Sequence, residues 1–215
     1  FLEEAILSLL NQKTKINYEI IVIDDASTDN SKVILQKIDN SKLIKKYNSS
    51  NLGPGATRNK AIKMAKGKYL MFVDADDYVS PDFIETMYNA IEKNKADIVI
   101  CNIVRVENEK QTIWSLGKKD IYIKPNFDNV LLMKFHSCNK IFKRDLFDNN
   151  LYPEGMLFED VVAVSRAILN SQKIIKIDEA LYFYRKIKTS ITNKLSQDNF
   201  DIIKPNKKTK ASEYD

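Results

Sequence analysis

Cysteine is scarce. Only Cys101 and Cys138 occur in 215 residues, with no CxxC pair and no histidine at metal-ligand spacing. That excludes a disulfide scaffold and a zinc finger, and predicts two reduced thiols in a cytosolic protein. Glycine and proline number five each, too few for collagen or a low-complexity linker. No apolar run exceeds about five residues, Tyr69 to Val73 being typical, whereas a membrane helix takes ~20. The first residues do not read as a secretory leader. A dense basic block is missing too: 34 basic against 29 acidic residues leave a net charge of +5 spread along the chain. Without an RNP-like aromatic motif, no nucleic-acid partner is expected. The mild surplus suits a solvated surface with weak attraction for phosphates or an anionic membrane face.

What is present is a regular alternation. The length predicts one domain, or one large domain with an appendage, able to bury roughly 70% of its unfolded surface. Phe1, Leu2, Ala5, Ile6, Leu9 and Leu10 share one helical face. A β-branched strand follows over 18–23, then a helix capped by Asp29 or Asn30 with Val33, Ile34 and Ile38 on its apolar side. A weaker strand at 43–47 leads to the turn 51–55 and a helix over 56–66, which Gly67 closes. The strand 68–73 ends in Asp74-Ala-Asp-Asp77, and Ser80-Pro81 opens a helix to about Lys93. The strand 97–101 closes the series. Such an order predicts an α/β fold, a mostly parallel sheet flanked by helices on both faces.

Beyond residue 103 the alternation fades. Residues 104–126, with Trp114, read as an irregular or antiparallel excursion, 127–135 as a short helix and 139–147 as strand-turn-helix. A clear amphipathic helix covers 158–170, strands 173–177 and 181–184, and a polar, Lys-bearing tail runs from 193. Trp114 fits either stacking on a ligand or the core, and His136 reads as a surface or hydrogen-bonded residue.

Ligands of parallel α/β sheets bind beyond the carboxyl ends of the strands. Asp24-Asp25 and Asp74-Ala-Asp-Asp77 both stand at such ends, which predicts a shared crevice. Three carboxylates within four positions repel one another unless a cation joins them, and their hard oxygens suit Mg²⁺ or Mn²⁺. The same residues also suit ordinary turns and helix caps. Residue chemistry leaves that choice open.

The order of motifs narrows it. The stretches 18–31 (YEIIVIDDASTDNS), 51–59 (NLGPGATRN), 67–77 (GKYLMFVDADD) and 158–160 (FED) resemble family 2 glycosyltransferases, in order and spacing, over about residues 1–192. The stretches 138–144 (CNKIFKR) and 182–185 (YFYR), with Ser190-Ile191, are similar to the subset building bacterial capsule, exopolysaccharide or lipopolysaccharide. The resemblance implies a GT-A fold, Rossmann-like, in one domain over 1–192. Its nucleotide-sugar half would be 1–103, its acceptor half 104–192, and 193–215 an extension. The implied donor is a nucleotide-diphosphate sugar, foremost a UDP-sugar, and the implied acceptor a glycan or lipid-linked molecule. Mn²⁺ or Mg²⁺ is the implied cofactor. A cytoplasmic location follows, with peripheral attachment to the inner face of the plasma membrane where the acceptor is lipid-linked.

Residue by residue, the resemblance implies that Asp25 contacts the base, with Arg58 nearby on the nucleotide. Asp74 would face the ribose and Asp76 ligate the metal. Asp160 would be the catalytic base of an inverting transfer. Asp77, Lys140, Glu159 and Arg185 are implied contacts of phosphate or acceptor. One departure stands out: family members begin with a strand and a Pro-Val-Tyr-Asn-like turn not found here. The expectation is a chain lacking that segment, with two neighbouring strands left partly unpaired. The rival readings are a glycosyltransferase-like module without turnover and a phosphotransferase with an aspartyl nucleophile.

Overall fold

The computed structural model describes residues 1–108, 110–114, 120–126 and 133–187. The helix expected at 127–135 lies largely outside these residues, as do Ser190-Ile191 and the tail from 193.

The first half alternates: α1 (Leu2–Leu10), β1 (Ile20–Asp24), α2 (Ser31–Lys37), β2 (Leu43–Tyr47), α3 (Gly53–Met64), β3 (Tyr69–Met71), β4 (Tyr78–Val79), α4 (Phe83–Asn94) and β5 (Ile98–Glu107). There follow β6 (Lys110–Trp114), β7 (Asp120–Ile123), β8 (Lys140–Lys143), a 3₁₀ turn at Arg144–Phe147, α5 (Glu159–Asn170) and β9 (Lys173–Arg185). The α/β class stands as expected. Within it the pairing is more mixed than the mostly parallel sheet expected. Among the described residues, β1–β2 and β5–β9 are parallel, and five pairs are antiparallel. The cause is local. β5 returns through a tight hairpin, Glu107 opposite Lys110, whereas a parallel partner needs a long crossover.

β5 and β9 form the centre of a sheet ordered β3-β8-β5-β9-β4, and residues 98–104 are buried throughout. Alternate β5 side chains enter two cores. Val99, Cys101 and Ile103 meet Phe83, Met87 and Ile91 of α4, while Ile98 and Ile100 meet Val164, Ala167 and Ile168 of α5. A smaller core joins Ile6, Ile20, Leu35 and Leu43. Here Leu35 is the buried residue of α2 and Val33 is 48% exposed, so the inward face is rotated from the one expected. The two strands expected at 173–177 and 181–184 are one strand, kinked where the register slips near Asn102. The helix expected from Pro81 starts two residues later, at Phe83 behind Asp82.

β1 and β2 make a sheet of their own, and β3 ends the larger one. Between β1 and β3 lies a cavity of about 660 Å³ lined by Ile6, Ile21, Ile23, Ile62, Leu70 and Phe72 among others. Among the described residues each of the two strands has one pairing partner, β2 and β8 respectively. The cavity's lining runs on to Thr57, Arg58 and Asp74, at the strands' carboxyl ends.

Candidate active site

Asp25 follows β1 and orders the start of α3. Its Oδ1 accepts from Asn48 Nδ2 (2.7 Å) and the Leu52 N–H (2.9 Å), its Oδ2 from the Gly53 N–H (2.8 Å). Burial works against the charge, but Asn48 and the two amides outweigh it and hold the carboxyl below its usual range. Gly53, at φ +84°, makes the turn that aims those amides.

From α3, Arg58 reaches two strand-distant acids. Its Nη2 meets Asp74 Oδ1 at 3.1 Å, its Nη1 pairs with Glu159 Oε1, and its guanidinium lies 5.5 Å from the Tyr152 ring centre. Burial opposes the charge, yet Asp74 and Glu159 raise the guanidinium's affinity for its proton. The sequence 101 residues apart is closed by this contact. Asn59, one residue on, accepts from the Tyr152 N–H and donates to the Tyr152 carbonyl, at 2.8 and 2.9 Å. A Cβ on Gly55 would sit 2.3 Å from the Pro153 carbonyl oxygen. Thus α3 seats the segment that leads into α5.

Asp160 stands in the first turn of α5, its Oδ1 accepting the Val161 N–H at 2.9 Å. Burial first, then the charge of Glu159, pushes its carboxyl up to about 6; Arg58 opposes them and Asp74 adds to them. Asp74 therefore acts electrostatically on Asp160 and on Asp76 alike.

Asp76 is held up by burial and then by Asp74. Its carboxylate has no side-chain hydrogen-bond donor among the described residues. An acid so placed beside a second acid fits a divalent cation. No group of three or more His, Cys, Asp or Glu side chains converges as a metal cage among the described residues, and Mg²⁺ held mainly by substrate phosphates needs only one or two carboxylates.

Four residues expected as phosphate or acceptor contacts have internal partners in the fold. Asp77 is 1% exposed and accepts from Tyr182 Oη (2.6 Å) and the Arg185 N–H (2.8 Å). Burial raises it to about 7 against those two donors. Tyr182 Oη also accepts the Asp74 N–H at 3.1 Å, so β9 fastens the acidic loop. Arg185 donates to the Asp76 carbonyl (2.9 Å), pairs with Glu4 (2.5 Å) and stacks over Tyr78, 4.5 Å from its centre. Glu159 is buried as the partner of Arg58. Lys140 is fully buried and donates to the His136 carbonyl (2.6 Å) and Asn139 Oδ1 (2.9 Å). Burial lowers its ammonium to about 8, against the attraction of Asp160 and the two cysteines.

Sequence reasoning missed Gly55, Asn59, Tyr152 and Tyr182 as site builders. Gly55 and Asn59 lay within a quoted motif, so position was the signal; Tyr152 offered none. Trp114 and His136 lie together, ring centres 5.7 Å apart.

Known proteins share this arrangement of chain. The family model described as glycosyl transferase family 2 matches residues 1–151. A poly(ribitol-phosphate) beta-glucosyltransferase of Bacillus spizizenii is 35% identical over 193 residues, 85% of this chain and 30% of that protein. Glycosyltransferase GlyA of Streptococcus pneumoniae is 29% identical over 206 residues, 89% of this chain and 30% of that protein. Residues 1–349 of Staphylococcus aureus TarS, solved with UDP-GlcNAc, superpose with a TM-score of 0.79 at 26% identity, covering 91% of this chain and 58% of that one. The chain thus spans under a third of those two curated relatives. The fold is GT-A, and the chain belongs to glycosyl transferase family 2.

Proposed function

We propose that the chain carries the catalytic domain of an inverting, metal-dependent glycosyltransferase. It would move a sugar from a nucleotide-diphosphate donor to a hydroxyl of a glycan or lipid-linked acceptor in surface-polysaccharide synthesis. The observation that carries this reading is Arg58, which ties Asp74 at a strand end to Glu159 beside Asp160. Acids from separate parts of the chain share one site through it. The solved TarS binds UDP-GlcNAc, which supports a UDP-sugar here. We read 1–103 as the donor half and 104–192 as the acceptor half of one domain.

In this reading Asp25 contacts the base, and Arg58 and Asp74 line the nucleotide. When bound to Asp76, Mn²⁺ or Mg²⁺ would neutralise the diphosphate leaving group. Asp160 takes the proton of the acceptor hydroxyl. That oxygen's electron pair then forms the bond to the anomeric carbon as the bond to the diphosphate oxygen breaks, so configuration inverts. Among the described residues no helix is long and apolar enough to cross a membrane. Work at the inner membrane face would therefore rest on surface attachment of these residues or on parts of the protein beyond them.

The test is donor hydrolysis and transfer with UDP-sugars and Mn²⁺. Asp76→Ala is expected to abolish Mn²⁺-dependent hydrolysis. Asp160→Asn is expected to lower turnover by ~10²–10⁴-fold, the worth of general-base catalysis, with UDP affinity retained. Near-normal turnover of Asp160→Asn removes that residue from the role.

A further inference from the structure

Trp114 is the chain's single tryptophan, and it stands at the end of β6 with its surface 37% exposed. Its indole meets the His136 ring at 64° and the exposed Lys134 holds its ammonium 5.4 Å from the indole centre. The three form a ledge. The ledge is tied to the site through its neighbours: the His136 carbonyl accepts from Lys140, and Ser137, the next residue, bonds the Tyr152 hydroxyl at 2.8 Å, the ring over which Arg58 lies at 5.5 Å. In the proposed function none of the three holds donor or metal.

Their chemistry points to one class of ligand. An indole face takes the apolar C–H face of a sugar or polyol, as aromatic side chains with one wet side do. Burial, followed by the charge of Lys140, pushes His136 down to about 4. At neutral pH it is therefore an uncharged imidazole, able to donate to one hydroxyl and accept from another. Lys134 adds a cation at the rim, where an anionic group is favoured over a neutral one.

We propose that Trp114, His136 and Lys134 form an acceptor subsite for a sugar or polyol bearing a phosphate, beside the hydroxyl that Asp160 deprotonates. This rests on the glycosyltransferase reading and names its acceptor chemistry.

The lone indole makes the test direct. The full chain, with UDP and Mn²⁺, is titrated with glucose 1-phosphate, glucose, inorganic phosphate and octyl phosphate while tryptophan fluorescence is followed. Glucose 1-phosphate is expected to give a saturable change, tighter than glucose by roughly threefold, the worth of an exposed charge pair. Lys134→Ala is expected to erase that preference, and His136→Ala to weaken both sugars. Inorganic or octyl phosphate matching glucose 1-phosphate would reduce the ledge to a phosphate contact and overturn the proposal. So would a silent indole while calorimetry shows UDP bound. Absence of UDP binding itself would instead strike the underlying reading, and the subsite with it.

Discussion

Glu159 and Asp160 are neighbours in the chain with different surroundings. Glu159 is buried on Arg58; Asp160 carries the charge of Glu159 at close range and has its own carboxyl raised to about 6. A raised carboxyl keeps its proton to higher pH, so the base form accumulates only above about 6. The kcat/KM for transfer is therefore expected to climb as pH rises through that value and to level off beyond it. Glu159→Gln takes away the repelling charge and leaves Arg58 to act on Asp160, and both changes favour the carboxylate. The acidic limb of the pH profile is expected to move to lower pH in that variant. A limb that stays in place, in a variant that still binds UDP, separates Asp160 from the observed ionisation.

At the scale of elements, the contact of α3 with the loop before α5 holds the two halves of the site together. Gly55 allows it because its Cβ-less backbone leaves room for the Pro153 carbonyl. Gly55→Ala puts a methyl group where backbone already sits, which costs ~1–3 kcal/mol as overpacking. Each kcal/mol corresponds to ~2–4 °C in a protein of this size. A fall in Tm, with loss of transfer activity larger than the loss of fold, is the expected outcome of thermal unfolding and assay together. An unchanged Tm would mean that α3 and this loop shift apart freely. The helices and strands of the first half were legible because each carries its own periodicity, while their ends were not: α3 runs Gly53–Met64 and is capped by Ala65 ahead of Gly67, and α4 starts at Phe83, past Pro81. The partnership of β5 with β9 was not, since it joins residues some 75 apart and depends on where β8 enters. Likewise, the acids were legible as candidates, but the internal engagement of Asp77 and Arg185 depends on β9 packing, which no local pattern records.

For the whole molecule, the apolar cavity between β1 and β3 matters most. Strands lying between helices normally exchange their amide protons slowly, because opening them needs much of the fold to open. Here each of the two has one edge without a strand against it among the described residues. Native-state hydrogen exchange is expected to show fast amides on the cavity side of β1 and β3, and slow ones throughout Ile98 to Val104. Equal protection would show that the cavity is closed in solution. The consequence reaches further than those amides. The unit of α1, β1, α2 and β2 has its own small core, so the molecule carries a seam. Warming or a protease should part it there first, releasing the strand that leads to Asp25 while α5, which carries Asp160, is still packed on the larger sheet.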